Sequence, residues 1–181
     1  MPWSDAITET AKIFNFLFSM KKSGQQIKHV VNIYDNMNTV LNTTDAQRFL
    51  VLKAHNGGGA IKPGSELYAS VIYEDYLKPF VSVKENYQKL LVDAEYVRML
   101  DDIYRHGRCN FIAAEMQEGM LKNIYEKEGV YYSEIYFLHQ SAKEFYFCSV
   151  STSKINHLMQ GRAQQAVISI AVNNIRNDIK K

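Results

Sequence analysis

The stretch that most constrains this chain is residues 45–76, DAQRFLVLKAHNGGGAIKPGSELYASVIYEDY. Two strand-like runs, 48–55 and 66–74, flank a connection with three consecutive glycines (Gly57, Gly58, Gly59) and a Pro63-Gly64 turn. Glycine reaches backbone angles that other residues avoid, and Pro-Gly suits a tight turn. The segment therefore predicts two antiparallel strands joined by a structured loop. That pairing sets the register of whatever surrounds it.

A chain of 181 residues has one domain's length, enough to bury a substantial core. Its net charge is only +2, and the adjacent basic pairs are Lys21-Lys22 and Lys180-Lys181. Binding through phosphates wants a concentrated basic face, so nucleic acid is not an expected partner. Two cysteines, Cys109 and Cys148, do not make a disulfide scaffold and read as free thiols in a reducing, cytoplasmic compartment. The apolar run 13–20 follows Asp5 and Glu9, not the positive charge of a signal peptide. A bilayer span takes roughly 20 residues, so this run is also too short to cross a membrane.

Helical spacing places Ile7, Ala11, Phe14, Leu17 and Phe18 on a first helix, which Ser23-Gly24 interrupts. A second helix carries the stripe Ile27, Val30, Val31, Tyr34, Met37 and Leu41. This divides the chain into an amphipathic N-terminal helix, 1–22, and a domain, 23–181. After the two strands, residues 75–92 read as irregular. Asp93 then caps a helix running to Gly107, 108–113 is a short strand, and a helix over 117–128 stops at Gly129. The runs 131–139 and 144–151 predict a hairpin, with Phe145, Phe147 and Ser149 on one face and Tyr146, Cys148 and Val150 on the other. Ser153 is the expected cap of a C-terminal helix whose face holds Ile155, Met159, Ala163, Ala166, Ile170 and Asn174. The class is α+β: a central antiparallel sheet with helices on its faces.

This order resembles GAF domains, sensor modules related to PAS. There a helix leads into a strand hairpin, as 27–41 leads into 48–55 and 66–74, and a last hairpin runs into a closing helix, as 131–139 and 144–151 run into 155–179. The resemblance spans roughly 25–180 and rests on topology; the first helix is extra. It implies a ligand cavity between the sheet and a cover formed by 75–129. The Asn-Lys…Phe…Asp-Glu signature of cyclic-nucleotide-binding members is absent, as is a bilin-attachment cysteine. The stretch 54–59, AHNGGG, also resembles segments of tailed-phage proteins.

Individual residues carry weaker chemistry. A glycine run can cradle an anion, but a phosphate loop normally enters a helix and this one enters a strand, so it is expected to be structural. His106 and Cys109 are two ligands where zinc wants four, which predicts no metal site. Cys109 or Cys148 is a nucleophile only with a histidine placed beside it by the fold, and Cys148 in its aromatic strand reads as a small core residue. The pairs Glu74-Asp75 and Asp101-Asp102 read as solvated charge. The expectation is a non-enzymatic, homo-oligomeric domain with no cofactor that binds a small molecule or serves as an interface. The alternative is a structural or interaction protein, such as a phage component, without a pocket. Positions at strand ends and in the cover make His55, Asn56, Tyr73, Tyr104, Arg105 and Glu115 the first candidate ligand-binding residues.

Overall fold

The computed structural model describes residues 3–180, and side chains from Ser23 onward. Helix α1 (Trp3–Thr43) leads into strands β1 (Arg48–His55) and β2 (Tyr68–Tyr76). The short strand β3 (Leu90–Leu91), helix α2 (Ala94–His106), β4 (Arg108–Ile112), a 3-10 turn at Ala113–Glu115 and α3 (Met120–Lys127) follow. Strands β5 (Tyr132–Gln140) and β6 (Glu144–Thr152) and helix α4 (Arg162–Ile179) complete the described chain.

Among the described residues the sheet has six strands in the order β3-β2-β1-β6-β5-β4. Each neighbouring pair is antiparallel, including the two expected hairpins, β1 with β2 and β5 with β6. Because side chains alternate across a strand, the sheet feeds two cores. On one face Phe49, Val51, Tyr136, Cys148 and Val150 meet Ile33, Met37 and Val40 of α1 and Ile168, Val172 and Ile175 of α4. On the other, Leu52, Val71, Ile135, Phe145 and Phe147 meet Tyr96, Leu100 and Ile103 of α2 and Leu121 and Tyr125 of α3. Fully buried side chains of this size contribute roughly 1.5–3 kcal/mol each, so both faces are needed to hold the sheet.

Local chemistry sets the element ends. The Asp93 carboxylate accepts the Tyr96 N–H at 2.8 Å to open α2, and Gly107, at φ 81°, closes it. Its other oxygen accepts the Met120 N–H at 2.8 Å, tying the start of α3 to the start of α2.

Five expectations are corrected. Ser23 and Gly24 do not interrupt the first helix, which is continuous from Trp3 to Thr43; one glycine costs a helix only about 1 kcal/mol. The face of α1 that packs on the sheet is Ile33, Met37, Val40 and Leu41, while Ile27, Val31 and Tyr34 are exposed. The last helix starts at Arg162, not near Ile155. Residues 153–161 are instead held by long-range bonds: Asp45 accepts the Leu158 N–H at 2.8 Å, and the Gln47 side-chain oxygen accepts the Ser153 N–H at 3.0 Å. With the helix starting later, its buried face is Ile168, Ala171, Val172 and Ile175, and Ile170 is exposed. Finally, Glu74 is not solvated charge. Its carboxylate accepts from Ser82 Oγ at 2.6 Å, Val83 N–H at 2.8 Å and Lys84 N–H at 3.1 Å.

Candidate functional site

The site begins with the face of the sheet that α2 and α3 cover. Arg48, Leu50 and Leu52 alternate along β1 toward that face, and Phe147, Ser149 and Ser151 do so along β6. The small side chains at 149 and 151 leave space that Phe147 fills further along. The cover supplies Val83, Tyr87 and Leu90 from 77–92 and Tyr96 from α2. Leu121, Ile124 and Tyr125 come from α3, and Glu128 from just beyond it. Together they enclose a cavity of about 60 Å³. A buried water needs about 10–15 Å³ by a comparable measure, so the space suits a few waters or a very small molecule.

The walls are mostly apolar, with Ser149 and Ser151 on the sheet, and the charged groups gather at one end, where Arg48 is 3 % exposed. Its Nη2 donates to Val81 O at 2.9 Å and reaches Glu128 Oε2 only at 3.4 Å. Its guanidinium carbon lies 4.2 Å from the Phe80 ring centroid, a cation–π contact. Tyr87 OH donates to the other Glu128 oxygen at 2.9 Å. Burial lowers the Arg48 pKa, which Glu128 partly opposes. Burial and the bond to Glu128 push the Tyr87 phenol up to about 12. The Arg48 Nε–H and the Tyr125 hydroxyl are buried without a hydrogen-bond partner among the described residues. The Tyr125 hydroxyl lies toward Ser133 and Ser149, whose own hydroxyls bond each other at 2.9 Å.

None of the six residues singled out from sequence lines this cavity, and they do not converge. His55 is buried at the end of β1. The Gly57 N–H donates to its Nδ1 at 3.1 Å, so Nε2 carries the proton and donates to Ser70 Oγ at 2.9 Å. Asn56 donates to Ala60 O inside the glycine loop. Tyr73 is on the opposite face of the sheet, edge-on to Tyr34 at 5.7 Å. Tyr104 is exposed on α2 and meets Phe137 edge-on, while Arg105 pairs with Asp101 at 2.9 Å on the helix surface. Glu115 is exposed in the 3-10 turn.

Arg48, Tyr87, Tyr125 and Glu128 were not read from the sequence as a site. One signal was there: Arg48 starts an alternating run with Leu50, Leu52 and Ala54, a charge on an otherwise apolar face. Elsewhere, burial pushes the Cys109 thiol up to about 12 and raises that of the fully buried Cys148. Among the described residues no three of His, Cys, Asp and Glu converge as metal ligands, and no helix is long and apolar enough to cross a membrane.

No protein-family model matches the chain. No curated protein matches it in sequence. Solved structures do. The GAF domain region of a Geobacter sulfurreducens protein aligns with a TM-score of 0.60 at 11% identity, over 88% of this chain and 98% of its own. The GAF domain of a two-component sensor histidine kinase from Bacillus halodurans gives 0.55 at 14% identity, over 82% and 91%. A far-red cyanobacteriochrome photoreceptor gives 0.57 at 9% identity, over 96% of each chain. The fold of this chain is therefore that of GAF domains. The likeness of residues 54–59 to tailed-phage proteins gains no support from these matches.

Proposed function

We propose that the chain is a non-enzymatic GAF-like sensor domain that holds a small molecule between its sheet and its cover and self-associates through its helices. The observation that carries the reading is the cavity with Arg48, Glu128 and Tyr87 at one end of a mostly apolar wall. Apolar walls with a few fixed polar groups are the usual make-up of a small-molecule site. The fold adds support, since solved structures that share it include a photoreceptor and a domain of a sensor kinase. For cysteine chemistry the non-enzymatic reading has support, since burial raises both thiol pKa values and leaves little thiolate at neutral pH. Free thiols also fit a reducing cytoplasm.

Native mass spectrometry of the purified full chain tests both halves. The expected spectrum shows a dimer carrying a low-mass adduct that is lost on mild activation. A bare dimer would favour a second reading, an interaction protein whose pocket has closed, which the small cavity volume supports. A bare monomer would overturn both.

A further inference from the structure

Arg48 is poorly used for so deeply buried a cation. A guanidinium presents five N–H donors in a planar fork, and its good partners are carboxylates bonded side-on by two parallel N–H groups at about 2.7–2.9 Å. Here Nη2 gives its short bond to the Val81 carbonyl and meets Glu128 at 3.4 Å, while Nε–H has no partner among the described residues. Buried unsatisfied donors are rare in native folds and call for an explanation. Glu128 is the more exposed member of the pair, its side chain at 12 % against 3 % for Arg48. It sits just past the last turn of α3, where it can swing toward water.

We propose that the cavity ligand is a small aliphatic carboxylic acid, bound as the carboxylate by Arg48 in place of Glu128, with its hydrocarbon end among Leu50, Val71, Leu121 and Phe147. This rests on the reading of the cavity as a ligand site and names the ligand's class. The volume of about 60 Å³ limits the hydrocarbon part to roughly two to four carbons unless the cover moves. Displacing Glu128 also frees the Oε1 that Tyr87 OH bonds at 2.9 Å. Binding therefore exchanges one anion for another at Arg48 and loosens the tie between the end of α3 and Tyr87. No net charge is added to the buried end once the Glu128 carboxylate has turned to solvent.

The test is isothermal titration of the full chain at pH 7 with propionate and with propionamide, a neutral match in shape. Wild type, Glu128→Gln and Arg48→Met are compared, each first checked for folding by circular dichroism. Propionate is expected to bind saturably at one per chain, and propionamide not at all. Glu128→Gln removes the competing anion and should tighten propionate by about fivefold or more. Arg48→Met should abolish binding, and if it does not fold, Glu128→Gln decides alone. Equal binding of acid and amide, or propionate affinity in Glu128→Gln no better than in wild type, would overturn the proposal. Binding of propionamide without propionate would overturn the acid but leave the cavity as a ligand site. Failure of both probes, together with an adduct-free native mass spectrum, would remove the site as well.

Discussion

The Glu74 carboxylate, near the end of β2, accepts the backbone N–H of Val83 at 2.8 Å across the gap between sheet and cover. Ser82 Oγ and the Lys84 N–H complete its coordination. Val83 lines the cavity, so this carboxylate helps fix the height of one wall. Glu74→Ala is expected to lower stability by about 1–3 kcal/mol, because it strands two backbone donors. Hydrogen exchange should accelerate mainly at 80–87. Uniform acceleration across the chain would place the role of Glu74 elsewhere.

Asp45 has a comparable part in the connection between α1 and β1. It accepts from Lys154 Nζ at 2.9 Å, the Leu158 N–H at 2.8 Å and Gln164 Nε2 at 3.0 Å. The bond from Lys154, and those from Leu158 and Gln164 after it, hold its pKa at about 2, against 3.8 ordinarily. A depressed carboxylate stabilises the fold above its unfolded pKa and loses that contribution as pH falls through its folded one. Stability should thus drop between about pH 4 and 2, and Asp45→Asn should flatten that limb in urea titrations. At neutral pH the variant is expected to cost about 1–2 kcal/mol.

His55 predicts an earlier acid step. Its Nδ1 accepts the Gly57 N–H, a bond that protonation removes. Burial, then Lys53 and Lys89, lower its pKa below the usual 6.5, with Glu144 opposing. The unfolded chain therefore takes up this proton first. Stability falls as pH drops below about 6.5 and levels off once the folded histidine titrates. The same loop makes Gly58, at φ +127°, intolerant of a side chain although no atom crowds it. Gly58→Ala should cost about 1–2 kcal/mol by strain while leaving cavity ligands unaffected. Urea titrations across pH 5–8 check the first expectation, and propionate titration of the folded variant the second.

How much of this was legible varies with how local the cause is. The β6 alternation, with Phe145 and Phe147 on one face and Cys148 and Val150 on the other, stands in the structure as the period of two implies. So do the Asp93 cap and the Gly107 and Gly129 stops, since each depends on a few adjacent residues. The start of α4 was not legible, because Asp45 and Gln47 capture 153–158 from more than a hundred positions away. Glu74 escaped for a similar reason: its partners lie in a loop with no periodicity. Arg48, Tyr87 and Glu128 meet only through the fold, and strand ends and glycine-rich loops drew attention to His55 and Asn56 instead.

Thiol chemistry gives a direct check on the core. With Cys109 held near pKa 12 and Cys148 fully buried, both should react with iodoacetamide at pH 8 far more slowly in the folded protein than in urea. Rapid labelling of Cys148 in native buffer would mean that β6 is not sealed between the two cores.

Self-association through α1 can be tested on its exposed apolar line. Ile27, Val31 and Tyr34 recur at helical spacing and are 63 %, 51 % and 38 % exposed. Replacing both Ile27 and Val31 by Glu should leave the circular dichroism spectrum unchanged and halve the mass measured by light scattering. A wild-type chain already monomeric at high concentration would remove the dimer from the proposal.

The joint between α1 and β1 has a mechanical consequence. At residues 44–47 the Asp45 N–H bonds Gln164 Oε1, the Gln47 N–H bonds Ser151 O, and Gln47 Nε2 bonds Lys78 O. The connection is thereby fastened to α4, to β6 and to the cover at once, and Arg48 follows it directly. With so little slack, and with Ile33, Met37, Val40 and Leu41 packed along the sheet, helix and strand move as one lever whose end adjoins the cavity. Residues 23–43 alone extend roughly 30 Å at helical rise. A tilt of about 5° of helix and strand together would carry Ser23 about 3 Å sideways over that length, so a shift too small to notice around Arg48 becomes a displacement the width of a side chain at the far end of the lever.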